Sequence, residues 1–179
     1  PTYSNKEFSA ELLHEFSRLP SDYRSFLGWR RKKVDFKYTK ISGPYNARKS
    51  SGEFLNKSVW FFGGSTMWGT GASDNQTIPS HFNSVTKKPV YNFGETSWNS
   101  RQSLNQLINV IGDNHQPSVV VFYDGVNELS GCRSEYQSLP VHSHEARIQN
   151  ALKRSIHNDL LKFIFSHNFP FPPKFIFNI

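Results

Sequence analysis

The chain is poor in sulfur, with one cysteine (Cys132) and one methionine in 179 residues. A single cysteine excludes an internal disulfide and any metal site built from a cysteine cluster, and it leaves the redox compartment undecided. Long apolar runs are missing too. Nothing approaches the roughly 18 uninterrupted apolar residues of a membrane-spanning helix, and the opening PTYSNKEF has neither a signal-peptide apolar stretch nor an initiator Met. Any targeting information would therefore lie upstream, and the location is undecided; were an upstream anchor present, it would be membrane-associated or extracytoplasmic. Acid is scarce relative to base, 14 Asp and Glu against 21 Lys and Arg, a net charge of +7. The densest basic run, GWRRKKVDFKYTK at 28–40, alternates with Val, Phe and Tyr as a solvated edge or extended segment does. No zinc-finger, RRM or KH signature accompanies it, so nucleic acid is not expected as a partner. Such a run also suits a position beside a membrane anchor.

What is present reads as one domain's worth of chain with a structured lead-in. Residues 1–57 are expected to hold a helix and an irregular arm. SNKE places Ser4 as N-cap with Glu7 three residues on, and Phe8, Leu12, Phe16 and Leu19 form one stripe over 4–19. From about 20 to 57 the text is rich in Ser, Gly, Lys and Arg, and little regular structure is expected. Residues 58–179 alternate strand and helix patterns, the mark of an α/β domain with parallel strands. VWFF (59–62), PVYNF (89–93), SVVVFYDG (118–125) and KFIFNI (174–179) read as strands, the third as one buried on both faces. Helices are expected after Pro79, with Ile78, Phe82 and Val85 on one side; over 101–112, with Leu104, Leu107, Ile108 and Ile111 packing and Gly112 stopping it; and over 144–166, striped by Ile148, Leu152, Ile156, Phe163 and Ile164.

The first three strands each end in a polar or glycine-containing loop: GGST, FGETSWNS and DGVNE. In an open parallel sheet the carboxyl ends of the strands share one edge, where ligands bind at a reversal of strand order. Strand order 2-1-3 would put GGST in the middle. Gly63 and Gly64 allow close backbone approach, so that Ser65 can project from a tight strand-to-helix turn with its amide free. A phosphate loop is the competing reading, but the Lys-Ser/Thr of a Walker motif and GxGxxG spacing are both absent. A bare helix-capping serine is the other alternative.

These residues, over roughly 57–130, resemble the SGNH hydrolases, the GDSL-type esterase and lipase superfamily. The resemblance implies a flavodoxin-like three-layer α/β/α sandwich, with its C-terminal part missing. It places the nucleophile at Ser65 in FGGST and the family asparagine at Asn127 in DGVNE, with Gly125 shaping that turn. Glu128 stands where an aspartate is usual. The family's second-loop glycine falls on Ser97, with Gly94 as the fallback. The implied chemistry is acyl transfer, in which Ser65 attacks an ester carbonyl and the Ser65 amide, the Ser97 or Gly94 amide and the Asn127 side chain hold the oxyanion. A serine esterase or O-acyl transferase follows, acting on a small acyl ester, acylated carbohydrates among the candidates, without cofactor or metal. Trp68 or Trp98 could line the substrate pocket.

The family's general base comes from a DxxH motif near the C-terminus, and no DxxH occurs in this chain. Of the seven histidines, His14, His81, His115, His157 and His167 suit surface or capping roles. His142 and His144, in LPVHSHE, are the nearest substitutes, and His-x-His without further ligands makes no metal site. The fuller expectation is that the chain stops before the family's last strand and its DxxH segment. The sheet edge left after KFIFNI would then invite pairing with a second copy. A non-catalytic binding domain that keeps the pocket is the alternative function.

Overall fold

The computed structural model describes residues 6–50, 55–132 and 145–166. Residues 1–143 and 144–179 form two separate compact units. In the first, α1 (Lys6–Ser17) buries Leu12, and Phe16 packs with Leu19 in a cluster with Ile41 and Trp68. The expected Ser4 cap lies outside the described residues.

The stretch expected to be irregular instead forms two short antiparallel ladders. β1 (Ser21–Arg24) pairs with β2 (Gly28–Arg31), and β3 (Val34–Asp35) pairs with β4 (Lys40–Ile41). Backbone bridges from Ile41 to Arg48 and from Arg48 to Asn92 then tie the arm to the main sheet. The basic run is correspondingly not a solvated edge throughout: Arg30 is buried, as is Arg48 beyond it. Side-chain polarity hid these strands because their cations satisfy main-chain carbonyls inside the protein.

The sheet is parallel and three-stranded. β5 (Val59–Gly63) runs into α2 (Ser65–Trp68), and α3 (Ile78–Thr86) leads to β6 (Val90–Asn92). α4 (Ser100–Gly112) leads to β7 (Val119–Tyr123), and α5 (Val126–Cys132) follows. The order is β6-β5-β7, which puts the earliest of these strands in the centre, and helices flank the sheet. β5 is buried along its whole length. Its alternation sends Trp60 and Phe62 to one face, with Tyr91, Phe93 and Val110, and Val59 and Phe61 to the other, with Met67 and Val90. Thr77 caps α3, where Phe82 alone of the expected stripe packs, edge-on to Phe61, while Ile78 and Val85 stay exposed. Asn99 and Gln102 form a reciprocal capping box on α4, which ends at a cap on Asp113.

β7 departs from the expected double burial, because Val119, Phe122 and Tyr123 are each about half exposed. Among the described residues β5 is the one strand paired with it. α4 shows the same inversion. It buries Gln102, Ser103, Gln106 and Val110 and leaves Leu104, Ile108 and Ile111 outside. In the second unit, α6 (Glu145–Ser166) carries exposed Leu152 and Ile156. KFIFNI lies outside the described residues. No helix among them is long and apolar enough to cross a membrane.

Candidate active site

Three strand ends meet at Gly64. β5 closes on Gly63, where a Cβ atom would lie 2.3 Å from the Tyr123 carbonyl oxygen, so glycine is what lets β5 and β7 approach there. A Cβ on Gly64 would lie 2.8 Å from Asn127 Nδ2 and 3.2 Å from the Trp98 carbonyl oxygen. Asn127 Nδ2 itself donates to that Trp98 carbonyl at 2.6 Å. The first, second and third loops are thus in mutual contact at one edge of the sheet.

Ser65 opens α2 and is partly exposed. The helix lasts one turn and ends on Gly69 at φ +89°, whose amide returns to the Ser65 carbonyl. Asn92, at the end of β6, braces it by donating from Nδ2 to the Met67 and Trp68 carbonyls. An open cleft of about 260 Å³ adjoins Ser65, walled by Thr66, Gly69, Thr70, Ala72, Gln76, Thr77 and Ile78, and neither Ser97 nor Asn127 lines it. Trp68 and Trp98 do not line it. Each is 2 % exposed, with Trp68 against Phe16 and Arg48, and Trp98 against Arg30.

The two candidate donors of the second loop are in different situations. The Gly94 amide is buried and donates to Asn92 Oδ1 at 3.1 Å. Ser97 is exposed at the turn and holds φ +62°, the left-handed conformation that a glycine takes without cost. Between them Glu95 is 2 % exposed, with its carboxylate near Arg30 Nη1 (3.4 Å) and accepting from the Arg31 amide (2.8 Å).

The third loop turns at Gly125, φ +129°, into α5. Glu128 accepts hydrogen bonds from the amides of Ser100 and Gly125, stitching the third loop to the start of α4. Burial pushes its carboxyl up, but these amide donors outweigh that and hold it below the ordinary glutamate value. Asp124, one residue beyond β7, behaves oppositely. Burial pushes it up to about 6, and the Glu128 charge adds to the rise against one hydrogen bond from Ser103 Oγ at 3.2 Å.

Three participants escaped sequence reasoning, Arg30, Arg48 and Glu95, and none of them had a local signal, whereas Glu128 is legible from its place three residues after Gly125. Among the described residues no imidazole is hydrogen-bonded to Ser65. His14, His81 and His157 are exposed, and His115 stands edge-on to Tyr45. His142 and His144 lie outside the described residues. Within those residues no group of three His, Cys, Asp or Glu side chains is placed to hold a metal ion. No protein-family model matches the chain, and no curated protein matches it either.

Proposed function

We propose that the chain carries the nucleophile and oxyanion-binding loops of a serine esterase or O-acyl transferase of SGNH type. The observation that carries this reading is the meeting of Gly64, Trp98 and Asn127 beside Ser65. Ser65 Oγ attacks the ester carbonyl, its proton passing to a base, and the alkoxide departs to leave an acyl group on Oγ. Water then gives hydrolysis, or a second alcohol gives transfer. The negative charge on the carbonyl oxygen is held by the amides of Ser65 and Ser97 and by Asn127 Nδ2, which has a second hydrogen besides the one given to Trp98. Ser97 is preferred to Gly94 because the Gly94 amide is already engaged by Asn92. A small acyl ester is the substrate class of this reading, and an acylated carbohydrate is one substrate with that chemistry.

A fluorophosphonate probe tests the reading. A longer chain that supplies the general base is expected to be labelled at Ser65, with Ser65→Ala unlabelled and Asn127→Ala slowed by roughly a hundred- to a thousandfold, the cost of one oxyanion donor; without that base, labelling of Ser65 should be poor. A well-folded longer chain that never reacts would move the conclusion to a binding domain with a retained pocket.

A further inference from the structure

Two buried arginines of the N-terminal arm reach the two loops that carry Ser65 and Ser97. Arg48, 1 % exposed, donates from Nη1 to the Trp68 (2.9 Å) and Gly69 (2.8 Å) carbonyls and from Nη2 to the Ala72 carbonyl (2.6 Å). Its Nε donates to Asp74 Oδ1 at 2.8 Å, and its guanidinium lies 4.4 Å from the centre of the Trp68 ring. α2 has four residues, well short of the roughly 12 to 15 at which a helix begins to hold itself in water. Its geometry therefore depends on what grips its final carbonyls, and a cation at a helix C-terminus also matches the helix dipole.

Arg30, 3 % exposed, performs the equivalent task on the second loop. Nη1 donates to the carbonyls of Phe93 (3.2 Å) and Gly94 (2.9 Å), and Nη2 to those of Tyr45 (3.3 Å) and Asn46 (2.9 Å). Its guanidinium also lies 4.9 Å from the centre of the Trp98 ring, and the Trp98 indole donates to the Trp29 carbonyl at 3.0 Å. The span that holds Ser97 in its left-handed conformation is thus gripped on both sides, at 93–94 and at 98.

We infer that Arg48 and Arg30 are positioning residues of the Ser65 site. Arg48 fixes the turn that presents Ser65, Arg30 fixes the loop that presents the Ser97 amide, and the arm is part of the site. The inference rests on the acyl-transfer reading for its chemical consequence, but the loop geometry it concerns can be measured without chemistry. Lysine keeps the charge and loses the planar fork that spans several carbonyls, which makes Arg30→Lys and Arg48→Lys the informative variants.

Both variants are to be compared with wild type, in that longer chain, by fluorophosphonate labelling, at a temperature where circular dichroism shows them folded, and by amide nitrogen–proton spectra. The maximal labelling rate is expected to fall about 10- to 100-fold at unchanged probe affinity, the scale of a misplaced reacting group. Amide shifts are expected to centre on 45–47 and 93–98 for Arg30→Lys and on 65–74 for Arg48→Lys. Unchanged rates in both folded variants, or shifts spread equally over both loops, would overturn the inference. Should wild type itself fail to label, the acyl-transfer reading falls and the spectra alone judge the positioning. Should the variants not fold, hydrogen exchange on wild type decides: the Gly69 and Glu95 amides must open with the same free energy as the Arg48 amide, and independent opening refutes the coupling.

Discussion

The two flanks of the central strand are finished to different degrees. On the β6 side the arm closes over the sheet, Arg48 and Arg30 are buried among carbonyls, and the first and second loops are gripped from several directions. On the β7 side Phe122 and Tyr123 stand about half exposed, α4 turns Ile108 outward, and Val126 and Leu129 of α5 are more than two-thirds exposed. The third loop hangs on fewer ties, chiefly Asn127 to Trp98 and Glu128 to the Ser100 and Gly125 amides. Stability and site rigidity should therefore be carried by the polar arm more than by the apolar flank. A cation surrounded by carbonyls loses much when cut, whereas an apolar side chain left in water loses little.

The largest expected effect comes from the closed flank. Arg48→Met strands Asp74 and three carbonyls, and should cost about 3 to 5 kcal/mol by urea denaturation, as for other broken buried pairs. That is a large share of the roughly 5 to 15 kcal/mol that holds a domain of this kind together. A loss below 1 kcal/mol would erase the contrast between the flanks. Next comes the seam between β5 and β7. Gly63→Ala drives a methyl into the Tyr123 carbonyl and should cost about 1 to 3 kcal/mol, with amide shifts concentrated at 121–125.

A smaller effect is expected from Asp124, whose folded value of about 6 stands above its ordinary 3.8. Between about pH 4 and 6 the native state holds more protons here than the unfolded chain, so this group's stabilisation is full below that window and is lost as the pH rises through it. Asp124→Asn should flatten that part of the profile and raise the melting temperature at pH 7.5. A variant with the wild-type slope between pH 4 and 6 would show that the carboxyl is better solvated than its surroundings suggest. The smallest effect belongs to the open flank, where Ile108→Ser should shift stability by no more than about 0.5 kcal/mol. A loss of several kcal/mol there would mean that something covers this face in solution.

The contrast also explains what was legible in the sequence. The strand succession and the meeting of the three loops were readable, because an apolar run broken by glycine or a polar cluster is a local signal at GGST, FGETSWNS and DGVNE. Burial was much less so. The run SVVVFY reads the same whether or not a neighbour lies beside it, and the apolar positions of α4 obey a helical period without saying which side faces the sheet. Arg30 and Arg48 were counted only as charge, since their acceptors at 93–94 and 68–74 are too distant in sequence to leave a pattern near them. The base that acyl transfer needs left no readable signal beyond His142 and His144.

The main-chain character of these grips has an evolutionary consequence. Arg48 and Arg30 hold mainly carbonyl oxygens, which every residue possesses, so apart from Asp74, Glu95 and the Trp68 and Trp98 rings their hold does not depend on which side chains the loops display. Thr66 and Thr70, each exposed, can drift in sequence while the turn keeps its path. Such a scaffold lets selection rewrite what surrounds Ser65 one position at a time. It allows no such freedom at the two arginines, where a single change releases a whole loop. Variation among descendants of this chain should accordingly pool at the rim of the cleft and stop abruptly at positions 30 and 48.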